Sequence, residues 1–142
     1  MGFIGIEARE QAGARDGTGR NGNRRRVFVV EDEALIGVDT ADTLEHQGFE
    51  VHLARTGEDA LCRLRGGLPI DILFTDINLA GSMDGATLAR LARELNPDLV
   101  VVYTSGTLDK IEDRVAGAVF VAKPYSPERI GQMLTRMSAP RG

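Results

Sequence analysis

The sequence predicts an α/β fold, a doubly wound parallel sheet of five strands with helices on both faces. Five short apolar runs rich in Val, Ile and Phe alternate with stretches of helical periodicity, and this alternation is typical of parallel sheets. Right-handed crossovers between parallel strands then place helices on both faces. The predicted strands are Val27–Val30, Phe49–Ala54, Ile70–Thr75, Leu99–Tyr103 and Ala118–Ala122.

Capping residues and helix stops delimit five predicted helices. Thr56 is a candidate N-cap, and Ser126-Pro127 sets a cap before a proline in the first turn. Asn96-Pro97 is a natural helix end. The predicted helices are Ala34–Gln47, Gly57–Arg65, Asp84–Leu95, Leu108–Ala116 and Pro127–Met137. The residues expected to face the sheet include Leu35, Val38, Thr43 and Leu44 in the first helix and Leu88, Leu91 and Leu95 in the third.

Composition favours one globular domain. The 142 residues are 42% hydrophobic and 27% charged, which is enough apolar surface for a core and rules out a disordered or fibrous chain. No apolar run approaches the roughly 18 residues of a membrane span. The net charge of −4 disfavours nucleic acid or an anionic membrane as a partner. Cys62, the only cysteine, has no disulfide partner and is expected to be a small core residue. We therefore expect a cytoplasmic protein.

Residues 1–26 differ from the rest of the chain. They carry six Arg against three acidic residues and hold six of the 17 glycines. Such a segment buries little apolar surface, so we expect a disordered leader. A globular domain is predicted at residues 27–138, followed by a short tail at 139–142.

Polar residues cluster where the predicted strands end. Ligands of doubly wound sheets bind beyond the carboxyl ends of the strands, so we expect these residues to converge. Carboxylates in one crevice repel each other, and Mg²⁺ removes that conflict. A lysine and a hydroxyl beside them suit a tetrahedral oxyanion, which predicts a phosphoryl-transfer site with a carboxylate nucleophile. The residues are Glu31, Asp32 and Glu33 after the first strand, Asp76 and Asn78 after the third, Thr104 and Ser105 after the fourth, and Lys123 after the fifth.

Four short motifs carry these residues in a recognisable order. They are Val29-Val30-Glu31-Asp32-Glu33, Asp76-Ile77-Asn78, Thr104-Ser105-Gly106 and Lys123-Pro124-Tyr125. In this order the chain resembles the receiver domain of two-component response regulators over about residues 27–138. The resemblance implies a flavodoxin-like (βα)5 fold with strand order 2-1-3-4-5.

The resemblance also implies the roles of the site residues. Asp76 would accept a phosphoryl group from a histidine kinase or a histidine phosphotransfer protein. Mg²⁺ would be bound by Asp32 and Asp76, by the backbone carbonyl of Asn78, and by Glu31 through water. Lys123 would pair with the phosphoryl oxygens.

A conformational switch is implied as well. Thr104 would move towards the phosphoryl group, and Phe120 would fill the vacated space and alter the surface around the fourth strand and fifth helix. The Lys123-Pro124 bond is expected to be cis, the minority isomer in general.

Three features depart from the family's usual pattern. The stretch from Asp76 to Gly85 is one residue longer and has Ala80-Gly81 in place of a rigid proline turn, so we expect a more mobile loop. The interval from Thr104 to Lys123 is about three residues shorter, which predicts a short or irregular fourth helix. Glu31 replaces the commoner Asp but keeps its charge.

The sequence therefore predicts a single-domain response regulator, because the chain ends at Gly142 soon after the last predicted helix. Its expected partners are the phosphodonor protein and a downstream protein target, without nucleic acid or membrane, and its expected state is a monomer or a phosphorylation-dependent homodimer. The only chemistry expected is its own phosphorylation and dephosphorylation at Asp76, so we do not expect an enzyme.

Two other functions stay open. One is a pseudo-receiver that docks partners without phosphorylation, which intact Asp32, Asp76, Thr104 and Lys123 argue against. The other is a Mg²⁺-dependent phosphohydrolase with an aspartyl-phosphate intermediate. Asp76-Ile77-Asn78 lacks the second acid that such an enzyme uses as its general acid.

Overall fold

The computed structural model describes residues 24–106 and 114–137. Outside the described residues lie the predicted leader before residue 24, the tail and most of the predicted helix Leu108–Ala116. The described part of that predicted helix, residues 114–116, is not helical. The elements are β1 (Arg26–Val30), α1 (Ala34–His46), β2 (Glu50–Ala54), α2 (Gly57–Arg65), β3 (Ile72–Asp76), α3 (Gly85–Leu95), β4 (Val100–Ser105), β5 (Val119–Ala122) and α4 (Pro127–Met137).

All five strands are parallel, in the order β2-β1-β3-β4-β5, so the predicted sheet is confirmed. The register pairs Val30 of β1 with Thr75 of β3, and Asp76 with Thr104 of β4. The carboxyl ends of the strands therefore form one edge. Two strands extend further towards this edge than predicted, because β3 includes Asp76 and β4 runs to Ser105.

Two apolar layers enclose the sheet. On one face α2 and α3 cover a cluster that includes Phe28, Leu73 and Tyr103. On the other face α1 and α4 cover a cluster that includes Val29 and Phe74. Burying one such side chain stabilises the fold by about 1.5–3 kcal/mol, so the layers hold the strand ends in fixed positions.

The helix caps follow the sequence closely. Thr56 Oγ1 accepts a hydrogen bond of 3.0 Å from the backbone N–H of Asp59, and Ser126 Oγ accepts one of 3.3 Å from Arg129. Asp84, predicted as the first residue of a helix, is instead the N-cap of α3. These bonds satisfy N–H groups that have no partner within the helix.

The predicted buried face of α1 is confirmed at Leu44 but is wrong at Leu35 and Val38. Leu35 is 86% exposed and Val38 is 49% exposed. The helix instead packs through small residues, Gly37 and Ala41, together with Thr40 and Leu44. A Cβ added at Gly37 would come within 3.1 Å of Leu53, so small side chains allow α1 to lie close to the sheet. Thr43 is only half-buried.

Two further burial predictions are wrong. Leu95, in the last turn of α3, is 52% exposed, and Cys62 of α2 is exposed. Both helices bury their neighbouring alanines instead, Ala92 in α3 and Ala60 in α2. Within the described residues, no helix is long and apolar enough to cross a membrane.

Candidate functional site

Glu31 lies immediately beyond β1 and is almost fully buried, with 2% of its surface exposed. Its backbone N–H donates to the carbonyl of Ala54 at 3.0 Å, which continues the pairing with β2 and fixes the residue. Its Oε2 accepts a hydrogen bond of 3.1 Å from the backbone N–H of Glu33. Its Oε1 lies 3.2 Å from Lys123 Nζ. A buried carboxylate is therefore presented to the edge of the sheet with a cation beside it.

Asp76 is the last residue of β3 and is 5% exposed. Its Oδ1 accepts a hydrogen bond of 3.0 Å from the backbone N–H of Asn78, and its Oδ2 lies 2.7 Å from Lys123 Nζ. Both carboxylate oxygens thus have fixed directions.

Asp32 completes a cluster of three carboxylates. One oxygen each from Glu31, Asp32 and Asp76 lies within 4.8 Å of the other two. Oδ2 of Asp32 also accepts a hydrogen bond of 3.0 Å from the backbone N–H of Ala80, in the loop after β3. Such oxygen donors are the ligands that Mg²⁺ prefers, so the donor set fits that ion.

The charges at this edge are strongly coupled. Burial raises the pKa of Glu31 above its ordinary value, against the hydrogen bond from Glu33 and the charge of Lys123. Burial alone would lower the pKa of Lys123, but its contacts with Asp76 and Glu31 outweigh burial and raise that pKa. Lys123 is therefore charged at neutral pH. Lys123 contacts two of the three clustered carboxylates, so an excess of negative charge is left for a divalent cation.

Thr104 brings a hydroxyl to the same place. It pairs in register with Asp76, and its carbonyl accepts a hydrogen bond of 2.9 Å from the N–H of Ile77. Its side-chain Oγ1 is buried without a hydrogen-bond partner among the described residues. Leaving a buried hydroxyl without a hydrogen bond costs about 1–3 kcal/mol of folding free energy. A group bound at Asp76 could accept a hydrogen bond from this hydroxyl.

Phe120 of β5 packs on the residue before Thr104. Its ring stacks on that of Tyr103, with centroids 5.1 Å apart and planes inclined by 27°. The Arg114 guanidinium lies over the Phe120 ring, 5.2 Å from its centroid. The ring is partly buried and belongs to the layer that α2 and α3 cover.

The turn after the last strand contains the expected cis peptide. The Lys123-Pro124 bond is cis, as the resemblance implied. The Lys123 N–H donates to the carbonyl of Ser105 at 2.9 Å, which ties this turn to the end of β4. The structure thus places Glu31, Asp32, Asp76 and Lys123 together. Thr104 pairs in register with Asp76, and the backbone N–H of Asn78 donates to the Asp76 carboxylate.

Gly85 is a site residue that sequence reasoning missed. A Cβ added at this position would lie 2.0 Å from the carbonyl oxygen of Asp76, which no side chain can tolerate. Its N–H donates to the carbonyl of Ile77 at 2.8 Å. The first turn of α3 therefore rests directly on the backbone of Asp76. A glycine directly after the Asp84 cap was the available signal.

Tyr125, the last residue of the Lys123-Pro124-Tyr125 motif, contacts two other elements. Its hydroxyl and that of Thr40 in α1 share a hydrogen bond of 2.9 Å, and its ring packs edge-on against Phe74 at 5.3 Å. Tyr125 thereby joins the turn after β5 to α1 and to β3.

Comparison with known proteins gives one consistent result. The sequence model of the response regulator receiver domain matches residues 27–135. The nitrogen assimilation regulatory protein NtrX of Azorhizobium caulinodans is 34% identical over 110 residues, 73% of this chain and 24% of that protein. The sensor kinase CckA of Brucella abortus is 30% identical over 116 residues, 78% of this chain and 12% of that protein. The chain thus spans a quarter or less of these two relatives.

Solved structures show the same likeness. A response regulator receiver protein from Sinorhizobium medicae superposes with a TM-score of 0.71 at 31% identity, covering 81% of this chain and 92% of that one. The receiver domain of the hybrid histidine kinase CckA superposes with a TM-score of 0.67 at 29% identity, covering 78% and 96%.

Proposed function

The chain belongs to the response regulator receiver domain family, and from that premise we propose that it accepts a phosphoryl group on Asp76. The donor is a histidine kinase or a histidine phosphotransfer protein, and the reaction depends on Mg²⁺. The observation that carries this proposal is the convergence of three carboxylates and the Lys123 ammonium at Asp76, beside Thr104, whose buried hydroxyl has no hydrogen-bond partner among the described residues.

The chemistry requires little covalent help. A carboxylate oxygen of Asp76 forms a bond to phosphorus while the bond from phosphorus to the donor's histidine nitrogen breaks, and the electron pair leaves with the imidazole. Alignment and neutralisation of charge account for most of the acceleration in such transfers. The hydrogen bond from Asn78 and the contact with Lys123 hold the Asp76 carboxylate in one orientation.

The metal site fits this chemistry. Asp32, Asp76 and the Asn78 carbonyl would hold Mg²⁺ directly, with Glu31 acting through water. When bound, Mg²⁺ supplies positive charge that offsets the carboxylates and the phosphoryl oxygens. Lys123 already contributes one positive charge at Asp76 and is placed to follow the phosphoryl oxygens.

Phosphorylation would change the balance of contacts at the strand ends. A phosphoryl group adds roughly −1.5 to −2 charges and three acceptor oxygens. The Thr104 hydroxyl, which has no partner among the described residues, would gain one. A ligand shifts a conformational equilibrium only by its differential affinity, and this new hydrogen bond supplies such a difference.

The output follows from the position of Thr104. Movement of its side chain towards Asp76 would free space next to the stacked pair Tyr103 and Phe120, so that Phe120 turns inward. The surface around β4, β5 and α4 would change with it. We propose that the signal is passed on there by protein–protein contact.

Beryllofluoride, which mimics a phosphoryl group on aspartate, tests this function. We expect titration with beryllofluoride and Mg²⁺ to shift the backbone amide resonances of Thr104 and Phe120, and we expect Asp76→Asn to abolish those shifts. Unchanged spectra in the wild-type protein would instead support the docking module that works without phosphorylation.

A further inference from the structure

The loop between β3 and α3 is anchored by two carboxylates from different elements. Glu58, in the first turn of α2, accepts hydrogen bonds from the hydroxyl of Ser82 and, at 2.8 Å, from its backbone N–H. Asp32, beyond β1, accepts a hydrogen bond of 3.0 Å from the N–H of Ala80. The extended loop, expected from the sequence to be mobile, thus has two fixed points.

Gly81 makes the two anchors compatible. Its φ is +102°, a backbone conformation that side chains rarely adopt, and it lies between Ala80 and Ser82. A Cβ at this position would also come within 3.0 Å of Glu58 Oε1. The turn at Gly81 therefore lets Ser82 reach Glu58 while the N–H of Ala80 points to Asp32.

We propose that Glu58 is a positioning residue that lowers the affinity of the acidic cluster for Mg²⁺. By holding Ser82, Glu58 keeps the Ala80 N–H on Asp32 Oδ2, an oxygen of the residue expected to bind the metal. This inference rests on the metal site of the proposed function.

The physical reason is competition for one carboxylate. The N–H dipole places partial positive charge against Asp32, so a cation that binds Asp32 is repelled by it and must displace it or use the other oxygen. Displacement requires the loop to move, and the Glu58–Ser82 hydrogen bonds resist that movement. The Ser82 hydroxyl lowers the pKa of Glu58, which keeps this anchor ionised at neutral pH.

A simple charge effect predicts the opposite change in Mg²⁺ affinity when Glu58 is removed. Glu58 is an acidic residue near a cation site, so removing its charge would weaken Mg²⁺ binding if long-range attraction dominated. The proposed anchor predicts tighter binding instead. The sign of the change therefore distinguishes the two explanations.

The test is the Mg²⁺ dissociation constant, measured by calorimetry in the absence of any phosphodonor. We expect Glu58→Ala to bind Mg²⁺ about three- to tenfold more tightly, the range that loss of one or two modest hydrogen bonds allows. Glu58→Gln, which can still accept from Ser82, should stay close to the wild type. Glu94→Ala removes another exposed acid, in α3, and is the matched control, with no tightening expected.

Amide hydrogen exchange supplies a second readout. In the metal-free protein, the Ala80 amide should exchange faster in Glu58→Ala than in the wild type, because its hydrogen bond to Asp32 is less well held. Equal or weaker Mg²⁺ binding by Glu58→Ala, or equal effects of the Ala and Gln variants, would overturn the inference. A wild-type protein that binds no Mg²⁺ would instead overturn the metal site itself.

Discussion

The ammonium nitrogen of Lys123 lies 2.7 Å from Oδ2 of Asp76. The same nitrogen lies 3.2 Å from Oε1 of Glu31, and both acids are at least 95% buried. The Lys123 ammonium thus offsets the negative charge of two adjacent buried carboxylates when no metal or phosphoryl group is bound. Its removal leaves negative charge with neither solvent nor a counter-ion.

We expect Lys123→Ala to lower the free energy of unfolding by about 2–4 kcal/mol at pH 7 without Mg²⁺. Added Mg²⁺ should recover part of this loss, because a divalent cation at the cluster replaces the missing charge. Urea denaturation with and without Mg²⁺ measures both effects. Arg129→Ala, at an exposed position of α4, is the control and should change little. Equal stability of Lys123→Ala and the wild type would contradict this account of the cluster.

The substitution Thr104→Val tests whether the Thr104 hydroxyl has a functional role or a structural one. Thr104→Val removes a hydroxyl that makes no hydrogen bond to any described residue, so we expect the free energy of unfolding to stay level or to rise by about 1 kcal/mol. The response of Phe120 amide shifts to beryllofluoride should nevertheless shrink. Urea denaturation and NMR titration measure the two effects.

Thr75→Val is the matched comparison for this prediction. Thr75 is also buried, but its hydroxyl donates a hydrogen bond of 3.0 Å to the carbonyl of Asp76. We therefore expect this variant to lose about 1 kcal/mol of stability. If Thr104→Val were destabilised as much as Thr75→Val, the Thr104 hydroxyl would have a structural partner, and its proposed role would be wrong.

A second ion pair lies at the amino-terminal edge of the sheet. Asp71 accepts hydrogen bonds from the Arg26 backbone N–H at 2.8 Å and from its guanidinium at 3.2 Å. Burial alone would raise the pKa of Asp71, but these hydrogen bonds and the Arg26 charge outweigh burial and lower it. The ionised form is therefore more favourable in the folded state than in the unfolded one.

Asp71→Asn should cost about 1 kcal/mol of stability at pH 7. A lowered pKa contributes stability that is present above the unfolded-state value, near pH 4, and is lost as the pH falls through the folded-state value. The difference between the variant and the wild type should therefore shrink below about pH 4. Thermal denaturation across this range measures it, with exposed Asp39→Asn as the control. A difference that grew towards low pH would contradict the lowered pKa.

The grouping of the site residues could be predicted because the carboxyl ends of parallel strands lie at the same edge of the sheet. Asp76, Thr104 and Lys123 are far apart in sequence, yet each directly follows or ends an apolar run, and the fold brings such positions to one edge. The buried face of α1 could not be predicted in the same way. Leu35 and Val38 suggested an apolar stripe, but close packing on the sheet selected Gly37 and Ala41 instead.

The loop contacts were beyond the reach of sequence reasoning for a different reason. The hydrogen bond from Ala80 to Asp32 depends on the backbone path of the loop, and that from Ser82 to Glu58 on where α2 lies beside it. Neither is encoded by periodicity or by a motif. The requirement for Gly85 is likewise steric and visible only once α3 is placed on Asp76.

The central claim is that Asp76 is the phosphoryl acceptor. The most direct measurement is the intact mass of the protein after incubation with acetyl phosphate, with and without Mg²⁺, beside Asp76→Ala. We predict one phosphoryl adduct on the wild type that requires Mg²⁺ and none on the variant, whose circular dichroism should still be that of the folded protein. An adduct of equal yield on Asp76→Ala, or no adduct on the wild type under any of these conditions, would contradict the account.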